Sequence, residues 1–408
     1  MFARLIILIF VITLVGVSWK LEGRPLLEAG SATKAWAGAS ILNSRSAPSS
    51  LYNPANLTLI RKRELYGELS YLDFTYAYKF GPTDEYPDQK TELKIQTPIP
   101  MYGYAWKYSK KLSFGSMLSL IPGEASKAEA NGVVIRDVGP PGFIANIKTG
   151  GKGVGYDFSF GMGYAQRKNF KLGMSLLMNQ STTTIAVEDD ETKTILAEGT
   201  ITNDSKAILL GIRSRISQVT IAGTLTPYRS FTSKKEFTSI DPSGRFPLPA
   251  SDSHQGPLTI GGAIAYHKAK ALIQLEGKYT MWSQLSKLEG KEALYIDTLD
   301  IKAGLGFLLK KKQTINIAYG FYPSNLDDGY LAEETSDGVE IRGYKFGDFE
   351  SLAVDVISLG YELKKKLGVV QLYFLYQSGQ RTVDEVSPAF GKHSLTVIHT
   401  GGSFIYRF

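Results

Sequence analysis

The chain has 408 residues, of which 43% are hydrophobic, and its mean hydropathy of -0.09 excludes a bundle of membrane-spanning helices. Cysteine is absent, so there is neither a disulfide framework nor a thiolate metal site. The formal charge of +7 is not gathered into a basic stripe beside a recognition motif, which sets nucleic-acid binding aside; 41 Gly, 23 Tyr and 20 Phe without long apolar runs point to β-structure with many turns.

At the N-terminus Arg4 precedes the apolar run Leu5 to Val17, which is short for a bilayer span and fits the h-region of a signal peptide. Residues 1–20 are therefore expected to be an export signal, although Val17-Ser18-Trp19 lacks a clean small-residue cleavage pattern. An uncleaved anchor or a buried strand is the alternative for the same run. Lys34 to Leu57, KAWAGASILNSRSAPSSLYNPANL, reads neither as an amphipathic helix nor as an alternating strand. It ends in the turn chemistry of Tyr52-Asn53-Pro54-Ala55, where Asn caps and Pro fixes φ and removes a donor. Small residues in such a run suit close packing inside a larger body.

From Glu64 onward the chain breaks into segments with period-2 patterning. Leu299, Ile301, Ala303, Leu305 and Phe307, for example, alternate with Thr298, Asp300, Lys302 and Gly304. Each segment thus has one apolar face and one polar or small face. A soluble sandwich gives the same alternation with shorter strands; segments this long suit tilted membrane-crossing strands. The connections favour the second reading. Short, mostly basic ones such as Ser109-Lys110-Lys111, Arg167-Lys168-Asn169 and Lys364-Lys365-Lys366 alternate with long polar ones such as 122–152, 229–256 and 325–350. Tight turns on one rim and long loops on the other are the pattern of an outer-membrane barrel.

The expected strands are 64–80, 93–108, 112–121, 153–167, 169–187, 198–213, 217–228, 257–267, 270–285, 294–309, 312–323, 351–364, 367–380 and 392–408. The fold class is then all-β, a transmembrane antiparallel barrel of about 14 strands, closed because no backbone group can stay unpaired in lipid. At the C-terminus Phe404, Tyr406 and Phe408 share one face, similar to the signal by which bacterial barrel-assembly machinery recognises its clients. Tyr102, Tyr104, Trp106, Tyr228, Trp282 and Tyr376, near segment ends, are expected to form interfacial girdles.

These pieces together resemble the FadL-type outer-membrane transporters of long-chain fatty acids and hydrophobic compounds. The resemblance is carried by Ala37-Gly38-Ala39 leading to Leu51-Tyr52-Asn53-Pro54-Ala55, by Pro98-Ile99-Pro100 with Tyr102-Gly103-Tyr104, and by Leu120-Ile121-Pro122-Gly123. Gly262 to Tyr266, Tyr279 to Ser283 and Tyr319-Gly320-Phe321 add to it. It implies an N-terminal hatch over 21–62 that plugs the lumen of a fourteen-stranded barrel over 63–408. It also implies a gate at Tyr52, Asn53, Pro54 and Ala55 acting on a kink in the third strand, Leu112 to Ile121, where substrate leaves sideways into the membrane. Gly38 would allow tight hatch packing. One departure is Arg45-Ser46, where relatives often carry an acidic pair.

The implied function is uptake of hydrophobic small molecules across a Gram-negative outer membrane, with fatty acids as the default class. The implied partners are that substrate, outer-membrane lipid including lipopolysaccharide, and the assembly machinery; the chain is expected to be a monomer. A secretion scaffold or shuttle and a water-filled porin are the competing readings. No cofactor, metal or enzymatic activity is expected: His254, His267, His393 and His399 are scattered, and GGKGVG at 150–155 runs into a strand pattern, with no helix to make a phosphate loop. The loop 122–152 supplies Arg136, Phe143, Ile144 and Lys148 as a candidate outer receiving site, an apolar surface with cations for a carboxylate. The same apolar residues serve equally well to fold the loop on itself. Glu276, Lys278, Asp300 and Lys302 are expected to face the lumen and pair across adjacent strands, because charges facing lipid would cost about 2–4 kcal/mol at the midplane.

Overall fold

A computed structural model describes residues 30–80, 90–121, 133–134, 144–145, 147–189, 195–239, 252–284, 296–310, 312–325, 331–334, 340–343, 352–383 and 391–408. The expected signal peptide, the first part of the expected hatch, and Arg136 and Phe143 lie outside them. No helix among the described residues is long and apolar enough to cross a membrane. Strands build the molecule instead.

Fourteen long strands follow one another round a closed antiparallel sheet. They are β1 (Arg63–Phe80), β2 (Lys90–Lys107), β3 (Leu112–Ile121), β4 (Ile147–Ala165), β5 (Phe170–Asp189), β6 (Ile195–Ile216) and β7 (Val219–Ser239). The second half is β8 (Thr259–Lys268), β9 (Ala271–Thr280), β10 (Thr298–Lys310), β11 (Gln313–Tyr322), β12 (Val354–Lys364), β13 (Gly368–Val383) and β14 (Gly391–Arg407). The last strand closes on the first, from Glu64 opposite Arg407 to Phe80 opposite Gly391. Every strand has a neighbour on both sides, so the sheet has no free edge.

The side chains are arranged inside out relative to a soluble protein. On β10, Leu299, Ile301, Leu305 and Phe307 are exposed on the outer face, whereas Thr298, Asp300 and Lys302 are buried in the lumen. On β8, Ile260, Ile264 and Tyr266 point out while Ala263 and Ala265 point in. An apolar exterior over a polar interior is what a strand needs when its solvent is lipid. Phe404, Tyr406 and Phe408 form an outer ladder with ring centroids 6.2 and 5.9 Å apart. Trp282, just past β9, donates its indole N–H to Thr298 Oγ1 at 3.1 Å.

Six short connections, at 108–111, 166–169, 217–218, 269–270, between Lys310 and Gln313, and at 365–367, lie on one rim together with the start of β1 and the end of β14. The tightest place Ser217 and Ala269 in the left-handed region, at φ 53° and 49°. Two strands are longer than their alternation suggests. β4 starts at Ile147 and β7 runs on to Ser239, where Asp252–Gln255 pairs back onto it. On the β7 extension Ser230, Thr232 and Lys234 stand on one face and Arg229 and Ser233 on the other, so both faces carry polar side chains. A ribbon wet on both sides leaves no hydrophobic period to read, yet its backbone ladder still forms.

Residues 30–60 lie within the barrel. They contain only α1 (Ser31–Lys34), α2 (Ser49–Tyr52) and a 3-10 turn, Pro54–Leu59. They are almost wholly buried, from Ser31 and Lys34 at one end to Leu57 at the other.

Candidate functional site

The site is the contact between this inner segment and the wall. Small residues on the segment meet glycines on the strands at several points of the circumference. Ala35 leaves no room for a Cβ at Gly360 on β12, and Ala47 leaves none at Gly103 on β2. A Cβ at Gly304 on β10 falls 2.5 Å from Trp36. This accounts for the Ala, Gly and Ser content of Lys34 to Leu57: both surfaces have given up side chains so that two backbones can approach.

Asn53, Pro54 and Ala55 form the tightest part. Asn53 is fully buried; its Nδ2 donates to Ile41 O at 3.0 Å and to Ile212 O on β6 at 3.2 Å, while its Oδ1 accepts from Ala55 N at 3.1 Å. Pro54 opens the 3-10 turn, where a missing N–H costs nothing. The backbone of Pro54 and Ala55 covers Gly173 on β5, and Asn53 covers Gly211 on β6. Leu57 packs against Gly115 on β3, which α2 also approaches. Within its described length β3 pairs without a register shift to β2 and β4. Tyr52 ends α2 and is half-buried. Asn56 and Arg213 tie the same corner together: Arg213 Nη1 donates to Asn56 Oδ1 at 2.9 Å and to Leu42 O at 3.2 Å.

Charged groups hold the other end. Glu276 on β9 accepts from the backbone N–H groups of Ser40 and Ile41, at 3.1 and 2.9 Å. Lys302, opposite it on β10, lies 3.5 Å from Glu276 and donates to Gly38 O at 3.0 Å. Lys278 faces Asp300 in the same register. Ala37 and Gly38 both sit at positive φ, 52° and 82°. Ala37 is pinned there: its N–H donates to Ser358 Oγ at 2.8 Å and its carbonyl accepts from Tyr322 Oη at 2.9 Å. A non-glycine residue held at such a φ costs about 1–3 kcal/mol, and these bonds offset that.

A second buried cluster surrounds Lys34, whose Nζ lies 3.0 Å from Glu68 on β1, 3.4 Å from His399 Nε2 and 5.1 Å from the centre of the Tyr373 ring. Glu68 also accepts from Ser31 N at 2.8 Å and from the Tyr66 hydroxyl. Nearer the short-turn rim, Arg45 pairs with Glu362 on β12 at 3.4 Å, and Glu362 also meets Lys364 at 3.1 Å. These groups border a recess of about 230 Å³ that also takes in Trp36, His267 and Lys270. The basic residue at 45 thus has an acidic partner on the wall.

On the outside, a groove of about 540 Å³ runs over β1 to β3 and is lined by Leu65, Gly67, Tyr102, Leu118, Phe404 and Tyr406 among others. Its floor is low because Gly67 has no side chain, and a Cβ there meets nothing within 4 Å. Of the candidate receiving residues, Ile144 pairs with Val134 in a short hairpin apart from the barrel, and Lys148 lies on β4.

No protein-family model and no curated protein matches the chain. Solved structures do match it. A Pseudomonas aeruginosa FadL homologue superposes with a TM-score of 0.60 at 13% identity, covering 93% of this chain and 98% of its own. The Pseudomonas putida toluene transporter TodX gives 0.60 at 11%, covering 94% and 99%. The Ralstonia pickettii toluene transporter TbuX gives 0.59 at 11%, covering 94% and 99%. The chain has the FadL-type fold.

Within that fold, the sequence alone pointed to Asn53-Pro54-Ala55, Gly38 and the pairs across β9 and β10. It passed over Lys34, Glu68, Glu362 and Arg213. Strand parity was the available signal for the wall members, since Glu68 and Glu362 stand at inward positions between apolar outward ones.

Proposed function

We propose that the chain is an outer-membrane channel for hydrophobic small molecules, a carrier of matter and no enzyme, with long-chain fatty acids as its default substrate. The observation that carries this reading is a lumen filled by residues 30–60, clamped by buried ion pairs, beside an apolar groove on the lipid side of β1 to β3. A filled lumen suits neither water nor ions, whereas an apolar groove suits a ligand that partitions into the membrane. In this account residues 1–20 direct export, 21–62 act as the hatch, and 63–408 form the barrel. The short-turn rim faces the periplasm. Asn53, Pro54 and Ala55 act as the gate, and substrate leaves sideways near β3. Loop residues Arg136, Phe143, Ile144 and Lys148 receive it outside. The toluene transporters of the same fold favour an apolar cargo of this kind. The test is uptake of labelled fatty acid and labelled toluene by cells with the gene, without it, and with Asn53→Ala/Pro54→Ala. Uptake should require the gene and change in the variant; equal uptake in all three contradicts the proposal.

A further inference from the structure

The short-turn rim is a ring of positive charge that the plug, the gate and the groove do not use. Lys110 and Lys111, Arg167 and Lys168, and Lys365 and Lys366 are all exposed in their turns; Lys270 and Lys312 lie in two of the other short turns, and Arg215 stands two residues before the third. Within three residues of the six turns the sole acidic residue is Glu362, which is paired with Arg45 and Lys364. The whole chain carries only +7, so the remainder of it is net acidic. Solubility of tight turns does not require this separation, because Asp, Asn and Ser serve a two- to four-residue turn equally well.

The depth of the ring matters as much as its sign. Tyr108, Tyr164, Leu367, Tyr406 and Phe408 are exposed on the outer wall beside the same turns. Aromatic side chains on a barrel wall mark the boundary between hydrocarbon and headgroups. The turns are so short that their cations stand one step beyond that boundary, at headgroup level. They recur in or within two residues of every short turn, so they encircle the barrel, whereas a docked protein would call for a one-sided patch.

We propose that this rim binds anionic phospholipid headgroups of the adjoining leaflet, several lipids per barrel, and so fixes the barrel's depth and tilt. The proposal rests on the outer-membrane reading above for its orientation. Each cation that reaches a headgroup favours an anionic over a zwitterionic lipid about fivefold, and salt screens the effect.

The test is native mass spectrometry of the purified full chain in detergent, titrated with phosphatidylglycerol or phosphatidylcholine at low and high salt, with inorganic phosphate as competitor. Phosphatidylglycerol should be retained about fivefold or more over phosphatidylcholine, less so in high salt. Lys110→Gln/Lys111→Gln/Lys366→Gln should lower that preference by the share of those two turns, while Lys94→Gln/Lys234→Gln/Lys392→Gln, on the opposite half of the wall, keeps it in full. Equal retention of the two lipids overturns the proposal, as does equal loss in both variants, which would be a net-charge effect. Displacement by millimolar phosphate assigns the ring to free anions and also overturns it. Folding is checked by the heat-dependent shift in gel mobility; if the triple variant does not fold, Lys365→Gln/Lys366→Gln replaces it. If the chain supports no fatty-acid uptake while the lipid preference is intact, that counts against the transport reading alone.

Discussion

Replacing Glu276 by Gln tests whether the inner segment is clamped to the wall by charge. Gln keeps the shape but has one carbonyl oxygen where the carboxylate had two, and Glu276 accepts two backbone N–H groups, from Ser40 and Ile41. One of those donors would face the new amide NH₂, donor against donor. Lys302, 1% exposed, would also lose its carboxylate at 3.5 Å. Removing one member of a buried pair costs about 3–5 kcal/mol. Since every 1.4 kcal/mol is tenfold, about 4 kcal/mol raises the released fraction of the segment by roughly a thousandfold. The wall ladders are untouched, so the loss should fall on local release and leave barrel unfolding largely unchanged. Planar-bilayer recording should show a nearly silent wild type and frequent openings in Glu276→Gln, with faster amide exchange over 31–57. Lys302→Met should behave alike. The double variant should cost clearly less than the two singles combined, because no buried charge is then left uncompensated. Wild-type conductance and wild-type exchange in Glu276→Gln would refute the clamp.

Three other substitutions probe different contacts. Gly173→Val drives a side chain into the Pro54–Ala55 backbone; overpacking of about 1–3 kcal/mol should loosen the gate corner and raise ion leakage, and unchanged leakage would count against that packing. Gly67→Trp fills the outer groove where a Cβ meets nothing; hydrophobic uptake should fall several-fold while the unfolding temperature stays put, and undiminished uptake by the folded variant argues against sideways release there. Arg45→Glu puts two carboxylates together at Glu362, and adding Glu362→Arg restores the pair with its sign reversed. Arg45 is 48% exposed, so solvent screening keeps the stability effect small; the readout is conductance, expected to rise in the single variant and return in the swap.

How much of this the sequence discloses depends on the kind of contact. The barrel is legible because lipid imposes one rule on every strand: outward positions such as Leu299, Ile301 and Leu305 must be apolar, and period 2 makes that visible. Register follows from tight turns, since a two-residue turn at Ala269-Lys270 leaves β8 and β9 little choice of pairing, and they pair without a shift. The polar extension of β7 beyond Tyr228 was hidden because both its faces are wet. The inner segment was legible as something closely packed, from its small residues and Asn53-Pro54. Its partners were not. Inward parity says that Glu68, Glu276 and Glu362 face the lumen, yet it cannot say which atom of the inner segment each meets, because that depends on the angle of the strand round the barrel. Lys34 and Arg45 lie in a stretch without periodicity, so nothing in the sequence assigns them a partner; only the closed barrel brings Glu68 and Glu362 against them.

The most direct measurement of the central claim pairs two solutes in one experiment. Cells lacking their own uptake routes for both, with and without this chain, are given a labelled hydrophobic compound and a labelled small sugar. A plugged barrel with a lipid-side groove predicts faster entrance of the hydrophobic compound and no change for the sugar. Faster uptake of the sugar, or of neither solute, would contradict the account.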